Sequence, residues 1–114
     1  MTEFEKMRNQ QLYCFEDPDL LASTTRANEL CAQLSTMALA SPEYRHTIET
    51  LIPGIPKSSA INPPFHCDHG NGITIGEHTF INYDCIMLDG GYIKIGAHCK
   101  IGPVSYTHLR AHET

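Results

Sequence analysis

Between Ile73 and Pro103 the aliphatic residues fall six apart, at Ile75, Ile81 and Met87. The count slips by two residues through Asp89-Gly90-Gly91 and resumes at Ile95 and Ile101. A second series of small residues, Thr79, Cys85 and Cys99, lies four residues after Ile75, Ile81 and Ile95. The residues just after the aliphatic ones are Gly76, Asn82, Leu88, Gly96 and Gly102. Neither a period of two nor one of 3.6 gives this spacing, whereas a six-residue repeat does. Six residues make one short strand and a tight corner, and three such units make one coil of about 18 residues in a parallel β-helix. Stacked coils pair at the ~4.8 Å strand spacing. The aliphatic side chain fills the middle of the tube and the small one sits inside near a corner. Gly after the aliphatic residue suits a corner that needs φ > 0. The slip reads as a small loop pushed out at one corner. One coil cannot bury its own faces, so the coils stabilise one another.

The first half of the chain is patterned differently. Residues 3–13 predict a weak helix with Phe4, Met7 and Leu12 on one side. Asp17-Pro18 is a helix start, with Asp17 as N-cap and Pro18 at the first helical position. Leu20, Leu21, Thr24, Ala27, Cys31, Leu34 and Ala38 then recur at three- and four-residue steps, an amphipathic helix to about Leu39. Ser41-Pro42 repeats the start signal; Tyr44, Ile48, Leu51 and Ile52 form a short stripe that Pro53-Gly54 ends. Residues 53–64, with four prolines, read as a linker and the entry to the first coil. The predicted organisation is a helical segment over 1–55, a partial β-helix over 56–103 and a separate tail over 104–114. The fold class is mainly β with an N-terminal α segment.

Three motifs in order, PPF-x-CD-x-G, I-x-IG and F-x-NY-x-C-x-x-LD, resemble the maltose/galactoside O-acetyltransferases, a family of hexapeptide-repeat sugar acetyltransferases. The likeness runs from about Glu5 to Pro103 and includes the helical segment. It implies a left-handed β-helix, a homotrimer, acetyl-CoA as co-substrate and a sugar hydroxyl as acceptor. It also implies sites. Asp68 matches the position lining the acceptor sugar, and Asn82 in F-x-N-Y matches the Asn beside the catalytic His. Asp89 lies at the mouth of the loop near that site, and Asp17 is a possible sugar contact. From the residues alone, Asn82 is also a corner residue tolerant of the left-handed conformation, Asp89 a solvated turn residue and Asp17 a helix cap. His66 and His69 depart from the family, which usually has Arg and Tyr there.

The family's general base is a His that accepts the acceptor hydroxyl proton. It usually follows the hexad equivalent to Ile101 in a segment like Y-T-A-T-H-P. Here the text is IGPVSYTHLRAHET, in which the next inward position is Thr107 and the repeat stops. His112 has the family's spacing from Ile101 and His108 follows Tyr106-Thr107, but neither precedes a proline. The tail resembles translated adaptor sequence, so the catalytic residue is left unassigned. The expectation is a C-terminally truncated chain that lacks the coils binding acetyl-CoA, and so binds none and transfers no acetyl group.

A net charge of −5 and a pI near 5.7 argue against a phosphate-backbone binder. No apolar run approaches the ~20 residues of a membrane span, and MTEFEKMRNQQ has no apolar core for a secretory signal. A cytoplasmic protein without nucleic-acid or membrane partners is expected. Five cysteines without a C-x-x-C pair read as compact core residues rather than a metal or redox site. In His66-Cys67-Asp68-His69 only alternate residues share a face, which favours a polar coil corner over a zinc site. Two other classes compete with the acetyltransferase: a non-catalytic β-helix scaffold, and a metal lyase of the γ-carbonic-anhydrase type. The lyase needs three suitably placed His. His78 and His98 predict outward positions on similar corners, but well apart along the chain.

Overall fold

The computed structural model describes residues 1–102 and the backbone of a strand at 108–110. Helices α1 (Glu3–Arg8), α2 (Pro18–Leu34) and α3 (Pro42–Leu51) come first. Each starts on a side-chain cap. The Thr2 hydroxyl and Glu5 carboxylate accept each other's backbone N–H. Asp17 accepts from the N–H groups of Asp19 and Leu20, and Ser41 from that of Tyr44.

Both of the first two helices stop earlier than the apolar pattern predicts. Helix α1 ends at Arg8, and Leu12, expected on its inner side, is 98% exposed. Helix α2 ends at Leu34 rather than near Leu39. There the hydroxyls of Ser35 and Thr36 bond back to the carbonyls of Ala32 and Gln33, local bonds that compete with helix continuation. Leu20, Ala27, Cys31 and Leu34 are buried, while Leu21 of the expected stripe is exposed.

The rest is a stack of short parallel strands: β1 (Ala60–Ile61), β2 (Phe65–Cys67), β3 (Ile73–Ile75), β4 (Phe80–Ile81), β5 (Cys85–Leu88), β6 (Ile93–Ile95), β7 (Lys100–Ile101) and β8 (His108–Arg110). They form three sheets in the orders β1-β4-β7, β2-β5-β8 and β3-β6. Each sheet pairs a strand with its counterpart one coil later, as a β-helix requires. The segment expected as a linker already contributes β1.

The register corrects the coil length. Ile61 pairs with Ile81 and Ile81 with Ile101, Cys67 with Met87, and Ile75 with Ile95. Each step is 20 residues, the interval that also separates the hydrogen-bonded pair Asn62 and Asn82. Three hexads fall short of it by two positions. The slip at residues 89–91 therefore has a twin one coil below, between Cys67 and Ile75. It escaped the count because a cysteine, not an aliphatic residue, holds the inward slot before it. Ile61, Ile81, Met87 and Ile93 are fully buried, each contributing about 1.5–3 kcal/mol through apolar area removed from water.

The small inward series does more than fill corners. Ser59 Oγ donates to the carbonyl of Gly76 (2.6 Å) and accepts the N–H of Thr79 (2.9 Å). One coil on, Thr79 Oγ1 donates to the carbonyl of Gly96 (2.6 Å) and accepts the N–H of Cys99 (3.2 Å). This ladder satisfies corner backbone that the strands leave unpaired.

The left-handed corner residues are not the expected glycines. Positive φ falls at His78, Asp84 and His98, whereas Gly76, Gly96 and Asn82 do not adopt it. Gly76 is required by closeness instead: a Cβ there would lie 2.6 Å from the nitrogen of Ala97 and 2.7 Å from the carbonyl carbon of Gly96. His78 and His98, separated by one full coil, stack with ring centroids 5.1 Å apart and planes 18° apart. Their separation along the chain, which suggested distance, is the interval that puts them in contact.

Strand β8 pairs with β5, with Leu109 opposite Met87. That interval exceeds the coil step elsewhere by two positions, and it places the register position at Leu109 rather than at Thr107. His112 and the rest of the tail lie outside the described residues.

The helices close the first coil. In β1, the N–H groups of Ala60 and Asn62 point up to the carbonyls of Thr79 and Ile81, so the backbone of Ile61 faces the opposite way. The Tyr44 hydroxyl donates to the Ile61 carbonyl and accepts its N–H at 2.8 Å. One side chain of α3 thus stands in for a missing neighbouring strand and covers an open edge. Helix α2 packs on β2, bringing Cys31 Sγ to 4.0 Å from Cys67 Sγ.

Candidate functional site

Two stacked corner loops, residues 68–72 and 89–91, carry the site. Asp89 is the residue that joins them, and it is fully buried rather than the solvated turn residue expected. Its Oδ1 accepts the N–H groups of Asp68 (3.1 Å) and His69 (2.8 Å), and its Oδ2 those of Gly70 (2.8 Å) and Gly72 (3.0 Å). Four donors converging on one carboxylate fix the lower loop as a nest around an anion. The loop bends this tightly because Gly70 takes φ +86°. Its missing Cβ would sit 2.3 Å from the Leu51 carbonyl oxygen, so α3 packs directly against the turn.

Arg8 locks the same region from α1. Its Nη1 donates to the carbonyls of Asp89 and Gly90, and its Nη2 to Asn71 Oδ1. The guanidinium lies between the rings of Phe4 and Tyr92, 5.2 and 5.0 Å from their centroids. Burial pulls the guanidinium pKa down, opposed by the charges of Asp89, Tyr92 and Asp68. Nothing in the sequence pattern pointed to Arg8, since a basic residue ending a short helix usually faces solvent.

The Asp68–His69 loop and the helices enclose a cleft of about 180 Å³, walled by Met7, Tyr13, Phe15, Leu20, Thr24, Asp68 and His69. Asp68 is half-buried there. Burial, with the charge of Asp89 close by, raises its carboxyl above the ordinary value. His69 is 3% exposed, and its Nδ1 lies 2.7 Å from the Ser23 hydroxyl of α2. Phe4 leans on the ring at 5.4 Å. Burial lowers the imidazole below 6.5, which keeps it neutral at pH 7. A second cleft, about 420 Å³, lies beside Phe4, Glu5, Arg8, Asn9, Asn71 and Tyr92.

The other candidate residues lie apart from these clefts. Asn82 Oδ1 accepts from the Asn62 side-chain amide (3.3 Å) and the N–H of Tyr83 (2.8 Å), in the local role of a corner Asn. Asp17 caps α2 and lines neither cleft. Along His66-Cys67-Asp68-His69 the side chains divide as alternation predicts: His66 is exposed and Cys67 buried. His69 shares the inner face of Cys67 and is buried against the helices, which departs from the polar coil corner expected. Contact with Cys31 and burial push the Cys67 thiol pKa up, which keeps it protonated. Among the described residues no three His, Cys, Asp or Glu side chains converge as a metal site would require, and no helix is long and apolar enough to cross a membrane.

No protein-family model matches the chain. Individual proteins do. Nodulation protein L of Rhizobium meliloti is 30% identical across 97% of this chain and 61% of its own length. The crystal structure of a hexapeptide-repeat acetyltransferase from Vibrio cholerae, complexed with acetyl-CoA, is 35% identical, covers 90% of this chain and 55% of its own, and superposes with a TM-score of 0.80. A maltose O-acetyltransferase from Clostridium difficile is 30% identical over 88% of this chain and 54% of its own, with a TM-score of 0.82. The chain therefore spans about half to three-fifths of the length of these relatives. The 20-residue coil register of strands β1 to β7, the capped helical segment before it and these likenesses together make the chain similar to the hexapeptide-repeat acetyltransferases.

Proposed function

We propose that this chain is part of an acetyl-CoA-dependent O-acetyltransferase whose acceptor is a sugar of the maltose or galactoside kind. The reaction moves the acetyl group from the thioester sulfur of acetyl-CoA to an acceptor hydroxyl oxygen. The hydroxyl oxygen attacks the carbonyl carbon as its proton passes to a general base, the C–S bond breaks, and the base hands the same proton to the departing sulfur, so that CoA leaves as the thiol. The observation that carries the reading is the cleft between the helices and the first corner loop. Its lining combines the apolar Met7, Phe15 and Leu20 with the polar Tyr13, Thr24, Asp68 and His69, a surface suited to a ring with hydroxyl groups on its edge. Asp68 is the contact to the acceptor. Asn82 and Asp17 stand as further acceptor contacts by resemblance, and Asp89 acts by holding the loop.

The general base, the acetyl-CoA site, the left-handed sense of the coil and a homotrimer belong to the same proposal, as does a cytoplasmic location. They are supported by the family likeness. In the same proposal the 114 residues by themselves bind no acetyl-CoA and transfer no acetyl group. The test has two arms. One measures acetyl transfer to maltose and to a methyl galactoside by the chain as it stands. The other repeats it with the source gene read past Pro103. Activity only in the longer protein is expected. Turnover by the 114-residue chain overturns the inactivity, and no turnover with any sugar by the longer protein overturns the acceptor class.

A further inference from the structure

The His69 ring is held at one nitrogen and open at the other. Nδ1 pairs with Ser23 Oγ, and Nε2 has no hydrogen-bond partner among the described residues. Yet no buried side-chain nitrogen or oxygen among them is left without a partner. Nε2 therefore reaches accessible space, and the space that the ring lines is the 180 Å³ cleft. The adjoining Asp68 lines the same cleft, and its carboxylate likewise has no hydrogen-bond partner among the described residues. The Ser23 hydroxyl has no acceptor there other than Nδ1. In the tautomer in which Ser23 donates to Nδ1, Nε2–H is a donor into the cleft; in the other, Nε2 is an acceptor there. A ring nitrogen and a carboxylate lining one cleft suit a hydroxyl, which both accepts and gives a hydrogen bond.

We infer that His69, oriented by Ser23, is a specificity-determining residue of this cleft: Nε2 and the Asp68 carboxylate together read one hydroxyl, or two adjacent ones, of a saccharide acceptor. The inference rests on the acetyl-transfer reading only for the choice of a hydroxylated ligand. Its chemistry comes from the two unpaired groups and the apolar side chains of Met7, Phe15 and Leu20 that line the same cleft. Neither the corner glycines nor the hexad count carries it, and an exposed histidine, such as His66 three residues earlier, has no such restraint.

The experiment is a titration of the chain with methyl β-D-glucopyranoside, followed through the imidazole ¹⁵N and ¹³C–¹H signals of His69. The support is a saturable shift of the Nε2 resonance, with binding weakened about three- to tenfold in His69→Phe, the range expected for one lost hydrogen bond. His69→Gln, which retains a donor, stays within about twofold of the parent, and His66→Phe is unchanged. The wild-type ¹⁵N shift answers the question even if His69→Phe does not fold. Saturable binding with equal affinity in His69→Phe overturns the inference, as does the absence of any His69 shift. Acetyl-CoA takes no part in the titration, so a failure of acetyl transfer sinks the functional reading without touching this one, and the reverse also holds.

Discussion

Asp89 holds His69 through the backbone: the carboxylate Oδ1 of one accepts the N–H of the other at 2.8 Å, across the gap between two coils. The chain separation is 20 residues, one turn of the tube. The anion that the sequence suggested as a ligand contact is thereby a builder of the loop that carries the contacts.

Asp89→Asn keeps the shape but replaces one acceptor oxygen with a donor facing backbone N–H groups. Loss of two charge-assisted bonds, with donors left unpaired, costs about 2–4 kcal/mol. Urea denaturation should show the lower midpoint, and hydrogen exchange should quicken at residues 68–72 before the rest. Unchanged protection of that loop would contradict the assigned role.

Tyr44→Phe removes the hydroxyl that serves both backbone groups of Ile61. Leaving a buried N–H and carbonyl unpaired costs about 1–3 kcal/mol. The Ile61 amide is the diagnostic: its exchange rises in the variant, while that of Asn62, bonded to Ile81 at 2.8 Å, does not.

Gly76→Ala pushes a methyl into the backbone of the next coil, where no side chain can swing away. The expected loss is about 1–3 kcal/mol or more. Gly96→Ala meets nothing closer than the Cys99 sulfur at 4.0 Å and serves as the control. Equal melting temperatures for the two would rule out the close approach.

Stability responds to pH in opposite directions through the two cleft residues. The His69 imidazole is depressed below 6.5 by burial, so the unfolded chain takes up the proton first as pH falls. Its contribution is present above about 6.5 and lost as pH drops through the folded value. The Asp68 carboxyl is raised above 3.8 by burial and by Asp89, so its contribution is present at low pH and lost as pH rises through the folded value. Asp68→Asn is therefore more stable than the parent at pH 7 while binding a sugar less well. His69→Gln flattens the fall in stability between pH 6.5 and 5. Chemical denaturation across that range checks both signs.

The hexad count made the tube legible because inward side chains face the same core at every turn. Ile75, Ile81, Met87, Ile95 and Ile101 report that periodicity directly. The count missed the bulge at residues 68–71, since Cys67 masks the slot before it. It also assigned the left-handed corners to Gly rather than to His78, Asp84 and His98. Positive φ depends on where the corner falls relative to the strand. Small size signals it poorly, because a stacked coil demands small residues for a different reason.

What the sequence determined by itself is the set of local and periodic properties: helix starts at Asp17 and Ser41, the inward faces of parallel strands, and a likeness to hexapeptide-repeat acetyltransferases. What only the tertiary structure decided is who meets whom across coils. The burial of Asp89 in four N–H groups, the capture of Arg8 beneath it, the Ser23–His69 pair and the stacked His78 and His98 all join residues on different coils or different elements. The physical reason is that a polar side chain has no periodicity to betray it. Its partner is fixed only once the apolar residues have set the pitch at which the coils stack.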